Sequence, residues 1–121
     1  MSVTVDVGAT FSALGDATRR GTVHLLAERR RSAGELASEL DVSPAVLTRH
    51  LRVLRDAGLV RASLDPDDQR RHVYDLVDAP LHDVRGWVDE VTEFWERQLG
   101  AFAVHVERAQ GEKEEARRAG R

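Results

Sequence analysis

The stretch from Asp41 to Gly58, D-V-S-P-A-V-L-T-R-H-L-R-V-L-R-D-A-G, constrains the fold of this chain more than any other. It predicts a helix over about residues 43–57 with both ends marked. The Ser43 hydroxyl can accept from an otherwise unpaired amide of the first turn. Pro44 follows at the first helical position, where a missing N–H costs nothing. Gly58 stands where a helix ends on a left-handed residue. Leu47, Leu51 and Leu54, spaced i, i+4, i+7, make one apolar stripe. The opposite face carries Ala45, Thr48, Arg49, Arg52 and Asp56, and is small, hydroxylic and arginine-bearing over its first three turns. Those properties suit a helix entering the DNA major groove, where small side chains permit close approach and Arg can pair with guanine O6 and N7. An ordinary amphipathic helix with a solvated face has the same pattern, so the flanking segments decide.

Upstream, Val3, Val5 and Val7 alternate like a strand, whereas Val7, Phe11 and Leu14 have helical spacing, and a helix is expected from about Val7. Asp16 caps a second helix over Ala17 to Glu28, with Val23, Leu26 and Ala27 inward. Gly21 in its middle costs about 1 kcal/mol against Ala and marks a close contact. Arg29-Arg30-Arg31 reads either as a solvated turn or as a phosphate contact beside the next helix. Ser32 and Glu35 then form a capping box, and the helix they open runs to about Leu40 with Leu36 and Leu40 facing the core. Asp41-Val42 is a tight turn into the Ser43 helix. Two short helices so joined, the second with a polar outer face, make a helix-turn-helix.

After Gly58, Leu59 to Leu64 reads as a strand, D-P-D-D-Q-R-R as a turn, and His72 to Leu76 as a returning strand with Tyr74 and Leu76 on one face. A hairpin in this position is a wing, lying along the DNA backbone or in the minor groove. Gln69, Arg70 and Arg71 are at its tip and return. Asp67 and Asp68 dilute the charge there, and one of them is expected to orient Arg70. The fold class is therefore mainly α with a small β-hairpin, a winged helix-turn-helix.

Asp78-Ala79-Pro80 starts a long last helix, with an apolar series at Leu81, Val84, Val88, Val91, Trp95, Phe102 and Val106. Four of the six aromatic residues of the chain, Trp87, Phe94, Trp95 and Phe102, lie on it. A three-helix core is too small to bury that surface. The expectation is a homodimer through this helix and the first one, using Phe11, Leu81, Val84, Val88, Val91, Trp95 and Phe102. A small-molecule pocket is the other use open to these aromatics. The domain is thus expected over 1–106, with the recognition helix at about 43–57, the wing at about 59–76 and the dimerisation helix at about 79–106. Residues 107–121 have no apolar stripe and read as a charged tail, either a fraying helix end or disordered.

The net charge of −3 argues against a nucleic-acid binder only as an average. From Asp16 to His72 there are eleven Arg against nine Asp or Glu, and from Val73 onward seven basic residues against eleven acidic ones. A phosphate-binding surface needs a local positive patch, not a positive protein. There are no cysteines, so disulfides, thiolate metal sites and cysteine nucleophiles are excluded. No apolar run approaches a membrane span and no basic-then-apolar leader opens the chain, so a cytoplasmic protein without membrane contact is expected. There is no Gly-rich phosphate loop, and no histidine has a Ser or Asp arrangement that would suggest a nucleophile, so an enzyme is not expected. His24 reads as a polar-face residue and His72 as a neighbour of backbone phosphate. His50, at the edge of the buried stripe, is either a buried, hydrogen-bonded group or a phosphate contact.

Together, F-S-A-L-G-D-A-T-R-R, E-L-A-S-E-L-D-V-S, L-T-R-H-L-R-V-L-R-D-A-G-L-V, R-R-H-V-Y-D-L and the later F-W-E-R-Q-L resemble the ArsR/SmtB family of bacterial winged-helix repressors, over roughly Phe11 to Leu99. The resemblance implies a homodimeric transcriptional regulator that binds double-stranded DNA at an inverted repeat. It implies that Ser43, Pro44, Ala45, Thr48, Arg49 and His50 lie at or beside the DNA, with Gln69, Arg70 and Arg71 on the wing. On this reading Arg49 supplies base selectivity with Thr48 close behind, and Arg52 one turn farther on contacts phosphate. The two recognition helices of the dimer would sit about 34 Å apart.

Three departures bear on function. The metal sensors of that family carry Cys-x-Cys where this chain has Glu39-Leu40-Asp41. Their other metal site needs Asp-x-His early on the last helix and a second pair about a dozen residues later. Here His82-Asp83 is out of order and His105 is too far along, so a site joining His82 to His105 would require antiparallel helices across a dimer. Pro44 replaces a frequent Gln, removing an adenine reader. No metal site or cofactor is therefore expected. The wing sequence also resembles that of MarR-type regulators, which keeps a MarR-like regulator responding to a small-molecule effector open. A winged-helix protein-interaction module is the alternative from a different class.

Overall fold

The computed structural model describes residues 6–120, so Val3 and Val5 of the strand-like alternation lie outside the described residues. The elements run α1 (Gly8–Ala13), α2 (Ala17–Glu28), β1 (Arg31–Ser32), α3 (Ala33–Leu40), α4 (Pro44–Asp56), β2 (Val60–Leu64), β3 (His72–Leu76) and α5 (Ala79–Ala119). Two compact units part between Arg85 and Gly86.

In the first unit the expected caps are present. Asp16 accepts from the Arg19 amide at the start of α2. Ser32 and Glu35 close a reciprocal capping box on α3, and Ser43 accepts from the Val46 amide with Pro44 following it. α4 ends as Gly58 predicts: its φ is +77°. The Gly58 and Leu59 amides donate to the carbonyls of Arg55 and Leu54, both at 2.9 Å. α3 ends in the same way, but with Asp41 in the left-handed position (φ 54°, ψ 50°) where glycine is usual.

The core gathers Ala13, Leu26, Leu36, Ala37, Leu47, Leu51, Leu54, Leu59 and Val60, with Leu14, Val23, Leu25, Leu40, Tyr74 and Leu76 half-buried around it. Each fully buried Leu stabilises the fold by about 1.5–3 kcal/mol relative to exposure. The three leucines of α4 anchor it to this core, which leaves its other face to solvent. A Cβ on Gly21 would fall 2.9 Å from Leu40 Cδ2, the close contact that a mid-helix glycine signals.

Several expectations are corrected. α2 turns Thr22 and Leu26 inward and leaves Ala27 exposed. Thr22 tolerates full burial because its hydroxyl donates to the Thr18 carbonyl at 2.9 Å. α1 buries Thr10 and Ala13, and Phe11, one of the residues expected to pair two chains, is exposed. Arg29-Arg30-Arg31 is not simply a solvated turn. Arg31 is buried and begins β1, which pairs antiparallel with β3 (Arg31 opposite Tyr74, Ser32 opposite Val73) and gives a three-stranded sheet in the order β1-β3-β2. The charge of Arg31 is compensated by Glu28 at 2.8 Å and by a closer contact with Glu39. Leu81 is half-buried against the core of its own unit.

The second unit carries the rest of α5. No residue of this helix is buried, and Val88, Val91, Phe94, Trp95, Leu99 and Phe102 are exposed large apolar side chains on it. Residues 107–119, read from sequence as a fraying or disordered tail, are helical. Their Ala, Glu, Lys and Arg content favours helix without an apolar stripe, and Glu114 and Arg118 are spaced i, i+4.

Candidate nucleic-acid interface

The exposed face of α4 begins at its capped N-terminus with Ser43, Pro44 and Ala45, and continues through Thr48, Arg49 and Arg52. All six are exposed, and the small residues stand at the end that would approach a base edge most closely. Arg49 and Arg52 make no hydrogen bond or ion pair among the described residues, so their donors are free for a partner outside the chain. Thr48 differs: its hydroxyl donates to the Pro44 carbonyl at 2.8 Å, leaving the oxygen lone pairs and the methyl group to face outward. In this rotamer Thr48 presents an acceptor and an apolar surface rather than a donor.

His50 turns away from that face. Its side chain is 18% exposed, and its Nδ1 lies 3.2 Å from Arg19 Nη1. A guanidinium only donates, so Nδ1 is the acceptor in this contact. Arg19 also donates through Nε to the Ala13 carbonyl at 2.6 Å and through Nη2 to the Ser12 carbonyl at 3.2 Å. His50 Nε2 is 3.9 Å from Asp16. The half-buried imidazole thus ties the recognition helix to the α1–α2 junction. The Asp16 carboxyl is held below the usual carboxylate range, chiefly by the Arg19 amide, with the Thr18 amide and the Arg19 charge adding to it. Only the Asp16 cap was readable in sequence. The Arg19–His50 link spans thirty-one residues and has no local signature.

On the wing the three predicted residues separate. Gln69 and Arg70 are exposed. Asp68, rather than Asp67, orients Arg70, accepting from its backbone amide at 3.1 Å and its Nε at 3.3 Å. Arg71 bends back instead, donating to the Ser32 hydroxyl at 2.6 Å and to Glu35. It fastens the base of the wing to the capping box of α3. Glu35 is held below its ordinary pKa first by the Arg29 side chain, whose Nη1 is 3.0 Å away, and further by the Ser32 amide and hydroxyl.

Residues 16–62 match the profile of the bacterial regulatory proteins of the arsR family. The chain is 39% identical over 97 residues to the HTH-type transcriptional regulator Rv2034 of Mycobacterium tuberculosis, covering 80% of this chain and 85% of the relative. The chain belongs to the ArsR family. Two solved ArsR structures share its fold. An ArsR-like transcriptional regulator from Rhodococcus sp. RHA1 matches with TM-score 0.74 at 29% identity, covering 84% of this chain and 90% of the other. The ArsR family regulator RHA00566 matches with TM-score 0.67 at 28% identity, covering 74% and 90%. As an ArsR-family protein with a winged helix-turn-helix, the chain is a DNA-binding transcriptional regulator.

The segment in which ArsR metal sensors carry cysteines is used here for structure: Glu39 pairs with Arg31 and Asp41 forms the left-handed end of α3. Among the described residues no three His, Asp or Glu side chains are grouped to hold a metal ion. His82 pairs instead with Asp78 at 3.1 Å, one turn earlier on its helix. No described helix is long and apolar enough to cross a membrane.

Proposed function

We propose that this ArsR-family chain is a cytoplasmic repressor that binds an inverted-repeat operator as a homodimer and performs no catalysis. One observation carries the reading. Arg49 and Arg52 stand exposed, with no partner among the described residues, on a helix whose opposite face is fixed in the core by Leu47, Leu51 and Leu54. Such a helix can read a groove without paying to order itself first. Arg49 takes the base edges, and Ser43, Pro44 and Ala45 allow the approach. Arg52, Gln69 and Arg70 contact phosphate, while His50 and Arg71 hold the helix and the wing in place. The exposed apolar residues Val88, Val91, Trp95 and Phe102 support pairing of two chains. They also leave room for a small-molecule effector between paired helices.

Binding to duplex DNA from upstream of its own gene, against random duplex, tests this across a salt series, with sedimentation reporting the mass. The reading predicts a dimer, a steep salt slope and a large preference for one site. Weak, salt-insensitive binding would favour a protein-interaction module instead.

A further inference from the structure

We propose that Arg55 and Arg61, neither of them among the residues read from sequence as DNA contacts, form with Arg52 a phosphate-binding cleft between the recognition helix and the wing. This rests on the DNA-binding reading above and adds a second set of contacts to it. Arg52, Arg55, Asp56, Val60, Arg61 and Ala62 line an open cleft of about 510 Å³. Thr48, Arg52 and Arg55 fall at i, i+4, i+7, one column of α4 leading from the groove-reading end into that cleft. Arg61 enters from β2, a different element, so the arginines lining the cleft come from two elements rather than merely following one another along a helix.

The charges lining the cleft are three Arg against the single carboxylate of Asp56, an excess of positive charge. Arg52 and Arg55 have no partner among the described residues. Arg61 has only a long contact, 3.9 Å, to Asp75, and its side chain is 70% exposed. Arginines left unpaired at a rigid junction are suited to phosphate, whose oxygens match their fork of donors. The junction is rigid because Leu54, Leu59 and Val60 beneath it are buried and the Gly58 turn is closed by two backbone hydrogen bonds. A duplex with α4 in its major groove and the wing alongside must carry one backbone past this corner. The cleft therefore takes adjacent phosphates of one strand and reads no base.

The test uses a random-sequence duplex, with operator DNA for comparison. Affinity is measured against salt for the wild-type protein, Arg55→Ala/Arg61→Ala, Arg55→Lys/Arg61→Lys and Arg85→Ala, an exposed arginine outside the cleft. Circular dichroism confirms that each folds. Each phosphate contact contributes about 0.9 to the slope of log affinity against log salt. The double alanine variant should lower that slope by about 1 to 2, the lysine variant should keep most of it, and Arg85→Ala should leave it unchanged. On operator DNA the alanine variant should lose the same factor as on random DNA. An unchanged slope, an equal fall in Arg85→Ala, or a loss confined to operator DNA would overturn the cleft. If the wild-type protein binds no duplex at low salt, the DNA-binding reading itself fails, and the cleft with it.

Discussion

Arg31 offers a clean separation of burial from charge. Its side chain is 6% exposed, and it pairs with Glu28 at 2.8 Å and with Glu39. Both carboxylates reach water, since their side chains are 69% and 39% exposed. Truncation to alanine removes Cγ and Cδ, two buried methylenes worth about 1.6 kcal/mol together. It also removes the ion pairs, but Glu28 and Glu39 then rehydrate. The 3–5 kcal/mol cost of a truly buried unpaired charge therefore does not apply, and the lost pairs contribute about 1 kcal/mol. Arg31→Ala should cost about 2–3 kcal/mol. Arg31→Met keeps the apolar stem and relieves the desolvation of the guanidinium, so it should stay within about 1 kcal/mol of wild type. Urea unfolding followed by circular dichroism at fixed protein concentration measures both as a shift in midpoint at constant slope. The reasoning is refuted if Arg31→Ala is neutral, as for a surface residue, or if Arg31→Met is as damaging as Arg31→Ala, which would make the ion pairs dominant.

Asp41 holds a left-handed backbone, φ 54°, with no glycine to ease it. Asp41→Gly should raise stability by about 0.5–1 kcal/mol, read as a higher unfolding midpoint. Asp16 and Glu35 both titrate below their ordinary values. The unfolded chain therefore binds more protons than the folded one in acid, and the stabilisation these groups provide is present above about pH 5 and lost as pH falls through their folded-state values. A urea midpoint followed from pH 6 to pH 3 should fall, and less steeply in Glu35→Gln; parallel curves would remove Glu35 from the acid response.

Much of this structure was legible from residue order, and the exceptions share a cause. Caps are local chemistry, so Asp16, Ser32 with Glu35, Ser43 with Pro44, and Gly58 each marked a helix end that the fold keeps. The leucine stripe of α4 was equally plain, and with it the exposed face that carries Arg49. β1 was missed because it has two residues and opens with a buried arginine, whose neutralisation by Glu28 and Glu39 exists only once α2 and α3 are packed. Thr10 and Thr22 are buried without an apolar signal, Thr22 being satisfied within its own helix. The roles of His50 and Arg71 depend on partners thirty-one and thirty-nine residues away, Arg19 and Ser32. Periodicity says nothing about contacts at such separations, so neither link could be read from the sequence.

The central claim, that the exposed face of α4 reads base sequence through Arg49, is tested most directly by the ratio of upstream to random duplex affinity in Arg49→Ala. This side chain has no partner among the described residues, so its removal should leave stability within about 0.5 kcal/mol of wild type. The ratio should fall by about 5- to 150-fold, equivalent to about 1–3 kcal/mol of lost base discrimination. A mutant that folds normally and keeps the full wild-type ratio would contradict the account.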